Sequence, residues 1–353
     1  MKKYYLLWAS LCGFILTNCS PAKQIVLQTV EPSPVTISST IKKVGIVNRS
    51  LPINVLNDET GIDRVVAMEE QYINEKGRGA ALSGLYEELL KDARFESIKI
   101  LDTVAPNLLD FGTAPDSISW QTIQAICRRY GVDVIFSMAY FDTDTKVSLK
   151  KASMLQPNLM RVKTKVPAQE ITLETLIENG WKIYDPNERE IIDEFVFNDQ
   201  IISKGMGIDP IDAFRAIEGR KDTIIGQSKA TGATYGQRLR PFNNQLQRDY
   251  YVRGSDNLER AGDLAEKGEW DQAAELWRRE LESPNEKVRS KSCHNLAVAC
   301  ERNDDLEGEL EWALKALELD ASKTGTSYLE SLKKRIKQKT VLQQQIDRSA
   351  FGK

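Results

Sequence analysis

The sequence predicts two structural classes in series: an α/β domain built on a mixed sheet, then an all-α domain of helical repeats. Three observations carry this expectation. Between residues 41 and 203, short β-rich runs alternate with helical periodicity. Between Asn257 and Asp320, an apolar helix–turn–helix pattern occurs twice, at an offset of about 36 residues from Ala261 to Ala297. Residues 1–40 fit neither pattern: an apolar leader is followed by a Pro/Ser/Thr-rich stretch. The predicted organisation is a leader at 1–18, a tether at 19–40, the α/β domain at 41–203, a helical connector at 204–253 and the repeats with a capping helix at 254–347.

Lys2-Lys3 is a positive n-region, and Tyr4 to Leu16 is an apolar core too short for a membrane-spanning helix. Leu16-Thr17-Asn18-Cys19 then resembles a bacterial lipobox, with Asn18 at the usual small-residue position, as in the relaxed lipoboxes of Bacteroidetes lipoproteins. The resemblance implies cleavage before Cys19 and acylation of that residue, which anchors the chain to a membrane. A plain secretory leader cut nearby is the alternative. Pro21 to Thr40, with Pro32 and Pro34, reads as a tether. No acidic run follows Cys19, which favours the periplasmic face.

Ile41 to Asn48 predicts the first strand. Asp63 to Tyr72 and Arg78 to Ala93 predict helices, the second burying Ala81, Leu85, Leu89 and Leu90. Phe95 to Leu101 predicts a strand. Ser119 to Tyr130 predicts a helix with Ser119 as N-cap and Gly131 as C-cap. Val132 to Tyr140 reads as a buried strand, and Gln169 to Asp185 with Glu190 to Asp199 as a hairpin turning at Asp185-Pro186-Asn187. Gly131-Val132-Asp133-Val134-Ile135 and Trp181-Lys182-Ile183-Tyr184-Asp185 resemble small α/β domains of envelope proteins, such as the curli secretion lipoprotein and the amino-terminal domain of TolB. Gly205-Met206-Gly207 reads as a flexible connection, and Ile211 to Ala216 and Arg220 to Gly236 as helices.

Leu258, Ala261, Leu264 and Ala265 share one helical face, Gly268 ends that helix, and Glu269-Trp270-Asp271 opens the next, which buries Ala273, Leu276, Trp277 and Leu281. Asn295 to Cys300 repeats the first helix, and Trp312, Ala313, Ala316, Leu317 and Leu319 repeat the second. Gly268-Glu269-Trp270-Asp271-Gln272-Ala273 and Ala316-Leu317-Glu318-Leu319-Asp320 resemble tetratricopeptide repeats. Asp304 stands in place of the turn glycine, Glu309 in place of the second small alanine and Ala321 in place of the closing proline. An ordinary pair of helical hairpins is the alternative. Ser327 to Asp347 predicts the capping helix. Gly232 to Phe242, Gln247 to Tyr251 and Tyr328 to Ile336 together resemble an uncharacterised Bacteroidetes lipoprotein family that joins an α/β domain to tetratricopeptide repeats. That resemblance transfers no activity.

The formal charge is −3 with no concentrated basic face, which argues against nucleic acid as a partner. A single histidine, His294, leaves little for a histidine metal site or a catalytic triad. Packing explains it best; a groove position would make binding pH-sensitive. Cys127 lies on an apolar helical face and reads as structural, as do Cys293 and Cys300. Asp142 and Asp144, at i and i+2 after a strand, are the best divalent-cation candidate, yet a polar strand end explains them. Asn57 to Asp63 lacks the ligand spacing of a calcium loop. Gly77-Arg78-Gly79 follows no strand, and no phosphate-binding Gly-Lys-Ser loop is present. No catalytic residue, metal or cofactor is predicted.

The expected function is therefore non-enzymatic: a membrane-anchored periplasmic protein whose repeats bind an envelope protein or peptide. Asn257, Arg260, Asp263, Lys267, Asn295 and Arg302, on the first helices of the repeats, are the predicted groove residues. The alternatives are a ligand-binding or enzymatic α/β domain braced by the repeats, with a polar pocket near Asp142 and Asp144, and an oligomeric secretion accessory.

Overall fold

A computed structural model describes residues 21–50, 61–101, 119–157 and 161–351. It places a strand, β1 (Ala22–Glu31), where composition predicts a tether. The tether expectation fails because Ile25, Leu27 and Thr29 alternate with more exposed neighbours, a period of two that suits a strand. The following residues are also folded in: Val35, Ile37 and Ile41 are buried in a core cluster. The chain forms two units, one of Ser33–Arg240 with Gln345–Lys353, the other of Pro241–Gln344 with the N-terminal segment through Pro32.

The first unit contains β2 (Lys43–Asn48), α1 (Gly61–Leu89), β3 (Ser97–Ile100), α2 (Trp120–Tyr130), β4 (Val134–Pro157), β5 (Lys163–Asp185), β6 (Glu190–Gly207), α3 (Pro210–Arg215) and α4 (Arg220–Gln237). Its sheet has the order β3-β2-β4-β5-β6. β2 runs parallel to β3 and β4, whereas β4, β5 and β6 are antiparallel, so the sheet is mixed as predicted. Asp133 sets the β2–β4 register by accepting from the Lys42 and Lys43 amides, both at 2.8 Å. Helix α2 has the predicted caps. The Ser119 side chain accepts from the Thr122 amide, and Gly131 takes φ 63°.

One long helix, α1, replaces the two predicted before residue 94. Glycines on α1 and α4 serve packing: a Cβ on Gly84 would strike the Lys229 carbonyl, and one on Gly232 the Ala81 carbonyl. Helices α1 and α4 thus meet backbone to backbone. Beneath them, Trp181 stacks on Tyr235 at 5.2 Å, with Phe136 edge-on to the same tyrosine. Full burial of such side chains contributes about 1.5–3 kcal/mol each. Gly205-Met206-Gly207, predicted flexible, completes β6 instead, because only hydrogen side chains fit against the Asp212–Ala213 backbone.

The second unit pairs β1 antiparallel with β7 (Phe242–Tyr251), in register from Ala22↔Tyr251 to Glu31↔Phe242. The predicted helical connector at 204–253 is therefore helical only in α3 and α4, and ends as a strand. Helices α5 (Asp256–Glu266), α6 (Trp270–Arg279), α7 (Glu286–Arg302), α8 (Leu306–Leu319) and α9 (Lys323–Phe351) follow. Two of their turns take positive φ: Gly268 at 88° between α5 and α6, and Asp304 at 59° between α7 and α8. Leu258, Ala261, Trp270, Ala273, Trp277 and Leu296 share one core with Tyr250 and Val252 from the strand side.

Candidate interaction face of the helical unit

The face of α7 predicted to line a groove carries a strand of the same chain. Asn295 is fully buried, and its amide grips the Tyr251 main chain from both sides. The Tyr251 N–H donates to Oδ1 at 2.7 Å, and Nδ2 donates to the Tyr251 carbonyl at 2.7 Å. Asn295 is thus a clamp on β7 and not a free groove residue. The amide side chain matches a peptide unit donor for acceptor, so the sequence shows only a polar residue on a helix, while the pairing needs the tertiary fold. Next to it, the His294 ring lies 5.1 Å from both the Tyr251 and Tyr328 rings. Its Nε2–H donates to the Asp249 carbonyl at 2.9 Å, and burial pushes its pKa down, so the ring is neutral packing. Just past the strand, Lys291 donates to the Arg253 carbonyl at 2.8 Å.

Asn257 is also occupied: its Nδ2 donates to the buried Glu280 carboxylate at 2.7 Å. The other predicted groove residues, Arg260, Asp263, Lys267 and Arg302, are exposed. Arg260, Asp263 and Lys267 recur at i, i+3 and i+7, one face of α5. The Arg302 guanidinium stands 5.8 Å over Trp270.

Beneath β7 lies a buried ionic cluster that sequence reasoning missed. Glu301 is closed from solvent and receives a two-point contact from Arg248, Nε at 2.7 Å and Nη2 at 2.9 Å, plus Nη1 of Arg335 at 2.6 Å. Tyr328 donates to Glu309 at 2.8 Å, and Arg335 lies 3.7 Å from the same carboxylate. Burial, then the charge of Glu301, pushes Glu309 up to about 7. The visible trace in the sequence is Glu309 itself, at a repeat position that otherwise holds a small residue.

The α/β unit has a cleft of about 450 Å³ lined by Glu69, Tyr72, Phe214, Ile217, Arg220 and Lys221. Arg220 is buried at its base; it pairs with Glu69, and Nη2 donates to Thr145 and Thr175, each at 2.9 Å. Neither Asp142 nor Asp144 lines the cleft. Asp142 is held up mainly by burial and Asp144 is exposed. Among the described residues, no group of three or more His, Cys, Asp or Glu gathers as a metal site. Burial, with Asp133 and Asp185 nearby, pushes the Cys127 thiol up to about 12, which removes the thiolate a nucleophile needs. Cys19, the leader at 1–18 and most of the Asn57–Asp63 run lie outside the described residues.

Residues 41–251, more than half of the chain, match the model of a domain of unknown function, DUF8603. The chain belongs to the DUF8603 family. Its match contains the mixed sheet and continues through β7. Residues 259–336 match a second domain of unknown function, DUF6340, which spans α5 to the middle of α9. Among solved structures, a PelC dodecamer from Paraburkholderia phytofirmans is 12% identical over 62% of this chain and 99% of its own, with a TM-score of 0.24. A single-substitution variant of that dodecamer is 10% identical over the same shares, with a TM-score of 0.23. A Helicobacter pylori protein described as a neuraminyllactose-binding hemagglutinin homolog is 10% identical over 57% of this chain and 83% of its own, with a TM-score of 0.26. No curated protein matches. Among the described residues, no helix is long and apolar enough to cross a membrane.

Proposed function

We propose that this DUF8603 protein is a non-enzymatic interaction protein of the bacterial cell envelope, anchored through Cys19 with its folded part in the periplasm, and that its tetratricopeptide-like helical hairpins take a segment of another envelope protein. The observation that supports this reading is the Asn295 clamp: the α7 face already holds extended backbone, donor to acceptor, in the way a peptide groove would. Arg260, Asp263, Lys267 and Arg302 offer a mixed-charge exposed surface that the clamp leaves open. Crosslinking of the full chain in cells, with mapping of the linked residues, tests it. Links from Lys267 to one envelope protein, lost in the Arg260→Glu/Asp263→Lys variant that keeps Lys267, are expected. A partner retained by that variant overturns the assignment of the face.

A second reading is favoured by the Arg220 cleft, in which the α/β unit binds a small anionic ligand. Arg220, Lys221 and the first turn of α4, whose N-cap Gly219 has no capping side chain, would face the anionic group, and Tyr72, Phe214 and Ile217 its apolar part. Thermal-shift titration with succinate and with inorganic phosphate tests this: a saturable rise abolished by Lys221→Glu supports it, and no rise with either sinks it for both probes.

A further inference from the structure

β4 and β5 outrun their sheet. β6 ends opposite Gln169, at Gly207, while β4 and β5 stay paired to Pro157↔Lys163. The last six pairs form a two-stranded ribbon about 20 Å long. No residue from 148 to 167 joins a core cluster among the described residues. The net charge conceals a basic run that sequence reasoning missed: from Lys146 to Gln169 the sequence holds six basic residues, Lys146, Lys150, Lys151, Arg161, Lys163 and Lys165, and no acidic one. Lys146 and Lys150 stand opposite Glu174 and Glu170. The other four have no ion-pair partner among the described residues.

Directly opposed residues in an antiparallel pair share a face. Leu149, Lys151 and Leu155 of β4 therefore lie on the same face as Lys163 and Lys165 of β5, and Leu155 stands opposite Lys165. All five are exposed, Leu155 by 63%. Aliphatic tips set among long cationic side chains have a specific physical use. The leucines leave water at a hydrocarbon boundary, the lysine stems lie along it, and the ammonium groups meet phosphates. A nucleic-acid strand would need aromatic platforms for its bases, and no Phe, Trp or Tyr occurs from Lys146 to Gln169.

We propose that this ribbon is a membrane-surface contact that seats on anionic phospholipid headgroups, with Lys151, Lys163 and Lys165 paired to phosphate and Leu149 and Leu155 entering the interface. The contact is separate from any acyl anchor and from the partner of the helical unit. It holds the α/β unit against a bilayer through its longest strands.

The test places a photo-crosslinking side chain at the ribbon, Leu155→p-benzoylphenylalanine, in the full chain. The protein is reconstituted into vesicles of phosphatidylcholine alone, or with phosphatidylglycerol added. Adduct yield is divided by the amount of protein recovered with each vesicle type, so the adduct reads the ribbon alone. Lipid adducts at position 155 are expected to be at least about tenfold more abundant on the anionic vesicles, because three lysines sit where the negative surface potential attracts them. Lys151→Glu/Lys163→Glu/Lys165→Glu should return the yield to the neutral level. High salt should do the same to the unmodified ribbon, a control that does not depend on the variant folding. Equal yields on the two vesicles, a yield indifferent to salt, or adducts formed with a second copy of the chain would overturn the proposal.

Discussion

Glu301→Gln is expected to cost the helical unit about 3–5 kcal/mol, the usual penalty for removing one partner of a buried ion pair. The structure explains why the value should be this large. Glu301 is closed from solvent, and Arg248 and Arg335 are only 11% and 14% exposed, so neither guanidinium can turn to water. Glutamine keeps the shape and one acceptor, but it aims an N–H₂ group at one guanidinium and removes the charge that balances two. Glu309, the nearest carboxylate, already accepts from Tyr328 and lies 3.7 Å from Arg335, too far for a full replacement bond. For a unit of roughly a hundred residues, this corresponds to a fall in Tm of about 15–30 °C. Thermal unfolding of the full chain by circular dichroism measures the loss, and amide exchange locates it in α7, α8 and α9. A loss below about 1 kcal/mol would refute the reasoning, since it would mean that the guanidiniums were solvated despite their burial.

Glu309 responds oppositely. Its folded pKa, about 7, lies above the ordinary 4.5, so the folded state holds the proton more tightly between those values. The stability this adds is present below the lower value and lost as pH rises through the upper one. Glu309→Gln should therefore match the parent near pH 5 and exceed it near pH 8 in urea midpoints; equal pH dependence in the two would count against it. Asn295→Leu strips the Tyr251 N–H and carbonyl of their partners, at about 2–3 kcal/mol. Faster exchange of the Tyr251 amide is expected, and unchanged protection would contradict the clamp. Gly232→Ala drives a methyl group into the Ala81 carbonyl and should cost at least about 2 kcal/mol, read as a lower denaturant midpoint. A neutral result would show that α1 and α4 can separate.

The helical face was only partly legible before the fold was known. Arg260, Asp263 and Lys267 follow from helical spacing alone, because a polar face is a local property of one helix. Asn295 sits on the same type of face, yet it is buried, because what covers it comes from β7, some forty residues earlier in the chain. Glu301, Arg248 and Arg335 were invisible for the same reason: no local pattern links residues drawn from a strand and two helices.

The sequence by itself determined the class of those elements whose signals are local. The buried run that opens β4, the hairpin of β5 and β6, the caps of α2, the α5–α6 turn at Gly268 and the apolar stripes of the helices all rest on neighbours within a few residues. Only the tertiary structure decided where the ends of the chain belong. The first half of the predicted tether became β1 because β7 supplies ten matching main-chain partners, and two predicted helices became one, α1, whose glycines let α4 pack against its bare backbone. Strand pairing and close helix contact depend on groups distant in sequence, so composition alone assigned these segments to linkers.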